Sequence, residues 1–271
     1  MEPTLSLIET LTRQAGEILR RGYGKQHQVI HKGAIDLVTE IDHQSEAFLL
    51  GEIRRRFPEH RVFAEESGFQ PGSDCCIWYV DPLDGTVNYA HGVPVFSVSV
   101  AYQEGGVLQL SAVYDPMRDE CFSAERGVGA FLNGRRIYPS EASELGKSLL
   151  VTGFPYDIQT NPQNNLENYA RFSLVSQGVR RLGSAALDLC YVAAGRFEGF
   201  WETSLHAWDV AAGALIAEQA GALVTDLHGQ PDYMKPPYAV LAANRSIHPQ
   251  MLYMLGSPNR AGGAALPALP G

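Results

Sequence analysis

The chain has 271 residues, of which 45% are hydrophobic and 19% are charged, and its formal net charge is −9 at pH 7. This length allows a sizeable hydrophobic core, and the composition is that of an ordinary globular protein. The acidic balance offers no basic surface for a nucleic acid, so no nucleic-acid partner is expected. The one long uncharged segment, 86–103, contains polar residues and Pro94, so we expect no membrane association. The N-terminus lacks a signal-peptide pattern, so we expect a cytoplasmic location.

The first half of the chain begins with a helical pattern and continues with strand-like ones. Apolar residues at helical spacing predict a helix over 5–21 that stops at Gly22. Asp42 stands where a second helix should begin, and β-rich segments over 96–131 predict several further strands. Three other segments with strand-like composition end in carboxylates: LVTEID (37–42), RVFAEES (61–67) and CIWYVD (76–81).

The second half mixes helices and strands. Apolar spacing predicts helices near 164–177, 186–195 and 207–221, and a last short helix from Ser246. Strands are predicted over 149–154, 197–202, 222–227 and 239–244. Helices and strands that alternate in this way favour sheets layered with helices between and outside them. Residues 258–271 are rich in Gly, Ala and Pro, which predicts a flexible tail.

Acidic side chains stand at four strand or helix ends: Asp42, Glu65–Glu66, Asp81 with Asp84, and Asp209. A carboxylate beside an apolar strand carries a desolvation penalty unless a cation neutralises it. Exposure to solvent would explain any one of these acids, but four such sites favour a bound cation. Oxygen ligands indicate Mg²⁺, Mn²⁺ or Ca²⁺, since zinc prefers Cys and His at a ligand spacing that this sequence lacks.

The segment DPLDGT (81–86) combines features of a metal site and a phosphate site. Its proline and glycine predict a tight turn that aims Asp81 and Asp84 at one point. The Gly-Thr pair then opens a short helix whose free N–H groups suit an anion, although capping that helix is an alternative role for Thr86. Mg²⁺ commonly shares its site with a substrate phosphate. The chain has no P-loop motif, so nucleoside triphosphate chemistry of that type is not expected.

These motifs resemble the inositol monophosphatase family, the Mg²⁺-dependent, lithium-sensitive phosphatases that include fructose-1,6-bisphosphatases. The matching segments are LVTEID (37–42), FAEES (63–67), WYVDPLDGTVNYAHGVPVFSVSVA (78–101), GSAALDLCYVAAGRFEGFWE (183–202) and HAWDVAAGALIAEQAGA (206–222). The resemblance implies an α/β (α+β) fold, a layered α-β-α-β-α sandwich of the inositol monophosphatase and fructose-1,6-bisphosphatase type. It also implies one catalytic domain over 1–257, with halves of about 1–147 and 148–257, and a homodimer.

The resemblance further implies a role for each matching residue. One Mg²⁺ would be held by Glu65, Asp81 and the Leu83 carbonyl, and a second by Asp81, Asp84 and Asp209. A weaker third ion is possible at Glu65, and Mn²⁺ could replace Mg²⁺. The residues that activate the attacking water would be Thr86, Asp42 and Glu65. The phosphate would bind Gly85 and Thr86, and the alcohol would contact Gly183, Ser184, Ala185, Glu202 and Asp209. Lys32 matches a basic residue near the site.

The resemblance therefore predicts a phosphoric monoester hydrolase that converts inositol monophosphate to inositol and phosphate by attack of a metal-activated water. Val87 departs from the threonine or lysine that many relatives carry after the first threonine, whereas Asn88-Tyr89 looks like the inositol-phosphatase branch rather than the nucleotidases. Fructose-1,6-bisphosphatase or histidinol-phosphatase activity on the same scaffold is an alternative. A regulatory binding protein with secondary phosphatase activity is another.

Overall fold

A computed structural model describes residues 2–25, 29–31 and 37–256. Lys32 and the predicted tail, 258–271, lie outside these residues. The helices are α1 (Leu5–Gly22), α2 (Glu40–Arg56), α3 (Thr86–Ala90), α4 (Leu166–Val175), α5 (Ala185–Ala193), α6 (Ala207–Ala220) and α7 (His248–Gly256). The strands are β1 (Val29–His31), β2 (Leu37–Thr39), β3 (His60–Ala64), β4 (Gly68–Gln70), β5 (Ser73–Asp84), β6 (Ser97–Glu104), β7 (Val107–Asp115), β8 (Glu120–Glu125), β9 (Gly129–Leu132), β10 (Arg135–Arg136), β11 (Leu149–Thr152), β12 (Gly178–Arg180), β13 (Gly199–Glu202), β14 (Leu223–Thr225) and β15 (Val240–Ala243).

The two N-terminal helices follow from local signals in the sequence. The Thr4 hydroxyl accepts a hydrogen bond from the Leu7 N–H and caps α1, which confirms the predicted helix over 5–21. The prediction of a strand over 37–42 is wrong from Glu40 onward, because α2 already begins there. The acidic residues Glu40 and Asp42 fall in the first turn of α2, where the helix dipole favours negative charge.

The larger sheet has eight strands in the order β10-β9-β8-β7-β6-β5-β3-β4. Only β3 and β5 run parallel among its pairs. In β5, Asp81 pairs with Ser99 and Asp84 with Ser97, so one extra residue on β5 forms a bulge. The turn predicted at DPLDG is therefore a bulge at the end of a strand that is longer than predicted.

The smaller sheet has five strands in the order β12-β11-β13-β15-β14. Its strands β12, β11 and β13 are parallel to one another, whereas β15 is antiparallel to both of its neighbours. Strand β12 was not expected, since its sequence, GVR, is short and has no alternating pattern. Residues from both sheets, among them Asp84 of β5 and Glu202 of β13, line one cavity.

The helices form three layers with the two sheets between them. Helices α1 and α2 pack on one face of the larger sheet, α5 and α6 fill the space between the sheets, and α4 and α7 cover the outer face of the smaller one. All residues of α5 are buried, as expected for a helix between two layers. The predicted α-β-α-β-α sandwich is confirmed. In the described ranges, no helix is both long and apolar enough to cross a membrane.

Candidate active site

The parallel strands β3 and β5 bring two predicted metal ligands together. Glu65 follows β3, and its N–H donates to the Val80 carbonyl of β5 at 3.1 Å, one residue before Asp81. The carboxyl groups of Glu65 and Asp81 share a hydrogen bond. Burial and the nearby carboxylates of Glu65, Asp84 and Asp209 raise the pKa of Asp81 well above its usual range. These four predicted metal ligands are therefore close enough to repel one another.

Asp84 connects the larger sheet to the helix layer between the sheets. Its Oδ2 accepts hydrogen bonds from the Ser184 hydroxyl at 2.6 Å and from the Ala186 N–H at 2.9 Å. Burial, reinforced by the Asp209 carboxylate and opposed by the Ser184 hydrogen bond, raises the pKa of Asp84 to about 7. The start of α5 is thus fixed against a predicted metal ligand.

Thr86 lies between two buried acceptors. Its Oγ1 is 3.2 Å from Asp42 Oδ1 and 3.0 Å from the Leu83 carbonyl oxygen. A hydroxyl has one proton to donate and two lone pairs, so Thr86 can donate to Asp42 while accepting from a further group. The alternative role of Thr86 as a helix cap is wrong, because the N-cap residue of α3 is Gly85 and its end has no side-chain cap.

Gly85 occupies a position that excludes other residues. Its φ is +99°, and a Cβ there would lie 3.0 Å from the Val95 carbonyl oxygen and 3.1 Å from that of Gly183. Asn88 holds the same three segments together, since its Nδ2 donates to the carbonyls of Val95 at 2.8 Å and Leu182 at 2.7 Å. The predicted phosphate-binding turn is therefore packed directly against the predicted alcohol-binding segment.

Two further predicted residues come from the smaller sheet and α6. Asp209 lies in the first turn of α6, and its Oδ2 accepts a hydrogen bond from the His206 N–H at 2.7 Å. Glu202 ends β13 and is buried. Burial, with contributions from the carboxylates of Asp209 and Asp84, raises the pKa of Glu202, and the Arg181 guanidinium opposes this shift.

One cavity of about 360 Å³ joins most of these residues. The predicted site residues that line it are Glu65, Asp84, Gly85, Thr86, Gly183, Ser184, Ala185, Glu202 and Asp209. Asp42, Asp81 and Leu83 are buried without lining it. Its wall also contains residues that the motifs did not indicate, among them Tyr156, Arg181, Asp188, His206 and Trp208.

The donor chemistry of the site fits a hard cation. The predicted ligands are carboxylate and carbonyl oxygens, which suit Mg²⁺. The raised pKa of Asp81 reflects burial and repulsion by the neighbouring carboxylates, and a bound cation would offset this repulsion. Within 2–25, 29–31 and 37–256, however, no three His, Cys, Asp or Glu side chains are grouped as ligands of one ion. Asp84 Oδ2 and Asp209 Oδ2 accept hydrogen bonds from protein donors.

Glu46 is a supporting residue that sequence reasoning missed. This buried side chain of α2 accepts hydrogen bonds from the N–H groups of Glu66 and Ser67, both at 2.9 Å. It thereby fixes the turn that carries Glu65. In the sequence, only its place beside the apolar run 47–50 sets Glu46 apart from Glu40 and Glu52 of the same helix.

The two-sheet α/β sandwich with its carboxylate-lined cavity is the scaffold of a family of phosphatases. The chain belongs to the inositol monophosphatase family, whose model matches residues 1–255. It is 44% identical over 249 residues to the Nus factor SuhB of Pseudomonas aeruginosa, covering 89% of this chain and 91% of that protein.

Solved structures agree with this assignment. The extragenic suppressor protein SuhB of Bartonella henselae superposes with a TM-score of 0.87 at 37% identity, covering 93% of this chain and 97% of that one. The inositol monophosphatase of Anabaena (Nostoc) sp. gives a TM-score of 0.83 at 43% identity, covering 93% and 94%. A further similar structure is a phosphatase of inositol monophosphate and NADP in complex with Mg²⁺ and phosphate, with a TM-score of 0.79 at 26% identity, covering 93% and 95%.

Proposed function

We propose that the protein is a Mg²⁺-dependent phosphomonoesterase that hydrolyses inositol monophosphate to inositol and phosphate. The observation that carries this proposal is the cavity that combines the acidic residues Glu65, Asp84 and Asp209 with the turn at Gly85–Thr86. Family membership and the complex of a similar phosphatase with Mg²⁺ and phosphate support the same chemistry.

In this proposal each group of residues has a separate task. Two or three Mg²⁺ ions would be held by Glu65, Asp81, Asp84, Asp209 and the Leu83 carbonyl. The bound ions would neutralise the charge of the phosphate and polarise its oxygens. The N–H groups of Gly85 and Thr86 would bind and orient the phosphate.

The attacking water would be positioned by Thr86 and Asp42. When the Thr86 hydroxyl donates to Asp42, its free lone pairs can accept a hydrogen bond from the water. The water oxygen then bonds to phosphorus, the ester P–O bond breaks, and the alcohol leaves with a proton. Catalysis of this reaction depends mainly on position and charge, which suits a site built from fixed carboxylates.

The charge of the cavity wall favours a monophosphate over a bisphosphate. Among the described residues that line the cavity, Arg181 and His206 are the basic ones. A second phosphate would need a cluster of basic side chains for its charge. Histidinol phosphate stays an alternative substrate, because its amine could pair with the acidic wall.

The names of the relatives support a second candidate function. Proteins such as the Pseudomonas aeruginosa relative are called Nus factors, which suggests transcription partners in addition to a substrate. This agrees with the alternative of a regulatory binding role. Under this second proposal, a Glu65→Gln variant loses phosphatase activity but still associates with partner proteins, and loss of both would argue against a separable role.

Phosphate release from a panel of inositol, fructose, histidinol and adenosine phosphates tests the main proposal. We expect the highest kcat/KM for inositol monophosphate, an absolute need for Mg²⁺, and inhibition by lithium. Equal rates on all esters, or full activity with EDTA, would contradict the proposal. Light scattering during size-exclusion chromatography tests the homodimer that the family resemblance implies.

A further inference from the structure

Asp188 is a carboxylate in the cavity wall to which none of the proposed roles applies. It lies in the first turn of α5, four residues after the N-cap Ser184. Asp188 lines the cavity although the residue is only 1% exposed. The buried Oδ1 atom of Asp188 has no hydrogen-bond partner.

A second buried aspartate shows how such a group is normally satisfied. Asp115 is 0% exposed, and its Oδ1 accepts hydrogen bonds from the N–H groups of Met117 at 2.9 Å and Arg118 at 3.1 Å. Its Oδ2 accepts a further one from the Arg118 guanidinium at 2.8 Å. A buried carboxyl without such partners costs stability, so Asp188 needs an explanation that Asp115 does not.

The surroundings of Asp188 indicate which ligand would supply the missing donor. The carboxylates of Glu202 and Asp84 act with burial to raise the pKa of Asp188, while Arg181 opposes them. Asp188 and Glu202 line the same cavity, so acidic side chains outnumber the one guanidinium, that of Arg181, in this part of its wall. Such a wall repels a phosphate and suits groups that donate hydrogen bonds, as the hydroxyls of an alcohol do.

We propose that Asp188 is a specificity residue that accepts a hydrogen bond from a hydroxyl of the substrate's alcohol, beside Glu202. This inference rests on the proposed phosphomonoesterase function and identifies the substrate class as phosphate esters of polyhydroxy alcohols. Hydrogen-bonding sites of this kind discriminate strongly, because an alcohol without the hydroxyl leaves the buried acceptor unpaired.

The test compares two esters in two variants, Asp188→Ala, which removes the acceptor oxygens, and Asp188→Asn, which keeps one of them. The esters are inositol monophosphate and p-nitrophenyl phosphate, which carries no alcohol hydroxyl. For Asp188→Ala we expect the ratio of kcat/KM for the first ester over the second to fall by about tenfold, mainly through a higher KM for inositol monophosphate. For Asp188→Asn we expect this ratio to fall less, because the asparagine oxygen can still accept the hydrogen bond. The Tm should stay the same or rise, because an unpaired buried carboxyl has been removed.

Asp115→Asn is the matched control, since it alters an equally buried aspartate outside the cavity. It should lower the Tm and leave the ratio of the two esters as in the wild type. Equal losses on both esters in the Asp188 variants, or a lower Tm with an unchanged ratio, would show a purely structural role and overturn the inference. A wild-type protein that hydrolyses p-nitrophenyl phosphate but no polyol phosphate would overturn the proposed function, and this inference with it.

Discussion

The Ser184 hydroxyl donates a hydrogen bond of 2.6 Å to Asp84 Oδ2, across 100 positions of the chain. Asp84 ends β5 of the larger sheet, whereas Ser184 caps α5 between the sheets. The same hydroxyl accepts a longer bond of 3.4 Å from the Leu187 N–H. One side chain therefore orients a predicted metal ligand and also stabilises the start of a buried helix.

Ser184→Ala should affect stability and metal dependence together. Loss of the cap should lower the free energy of unfolding by about 1 kcal/mol. Loss of the bond to Asp84 should raise the Mg²⁺ concentration needed for half-maximal activity severalfold. Urea unfolding and Mg²⁺ titration of phosphate release measure the two effects. Ser184→Thr is the control, because it keeps the hydroxyl and should behave like the wild type. An unchanged Mg²⁺ requirement in Ser184→Ala would contradict the role given to the hydrogen bond between Ser184 and Asp84.

Glu65→Gln tests which acid of the Glu65–Glu66 pair serves the reaction. Glu65 follows β3 and shares a hydrogen bond with Asp81, so its loss should reduce phosphate release by at least about a hundredfold. The fold should persist, because the Glu46 carboxylate still holds the Glu66 and Ser67 N–H groups. Circular dichroism and turnover at saturating Mg²⁺ give the measurement. The neighbouring Glu66→Gln variant is the control, and equal losses in both variants would contradict the assignment.

The elements that the sequence predicts are those whose signal lies within a short segment of the chain. Helix α1 follows from its apolar spacing and its cap, and the acids Asp81, Asp84 and Asp209 were predicted as ligands from their motifs. Asp81 and Asp84 lie near the end of β5, and Asp209 lies in the first turn of α6. Polar residues at the ends of strands and helices are visible in the sequence as breaks in the apolar pattern.

The missed features depend on contacts between distant segments. Asp188 stands in an apolar helical stretch, and only the packing of α5 between two sheets decides that its carboxyl is buried and lines the cavity. Glu46 likewise gains its role from the Glu66 and Ser67 N–H groups, which lie 20 and 21 residues away. A single sequence does not reveal which of several acids becomes enclosed in this way.

The metal-free protein should lose stability as the pH rises from 6 to 8. Burial and the Asp209 carboxylate raise the pKa of Asp84 from 3.8 to about 7, so near pH 6 the folded protein holds a proton that the unfolded chain has released. Proton binding therefore favours the folded state at the lower pH, and this contribution is lost as the pH rises through the folded pKa. The Tm in EDTA should be higher at pH 6 than at pH 8.

Magnesium should reverse this dependence, because a cation competes with the proton at Asp84. The increase in Tm on adding Mg²⁺ should be larger at pH 8 than at pH 6. Differential scanning fluorimetry with and without Mg²⁺ measures both differences. Asp84→Asn, which has no titrating group at this position, should show a weaker pH dependence in EDTA. A pH dependence of the Tm in EDTA that is the same in Asp84→Asn as in the wild type would contradict the raised pKa.

Asp209→Asn should weaken metal dependence and substrate binding together. Asp209 lines the cavity at the start of α6, and its charge contributes to the raised pKa values of Asp81, Asp84 and Glu202. The fold should persist, because an asparagine oxygen can still accept the hydrogen bond from the His206 N–H. We expect both the KM for inositol monophosphate and the Mg²⁺ concentration for half-maximal activity to rise by about tenfold. Varying Mg²⁺ and substrate in one steady-state series measures the two constants, and a change in neither would remove Asp209 from the site.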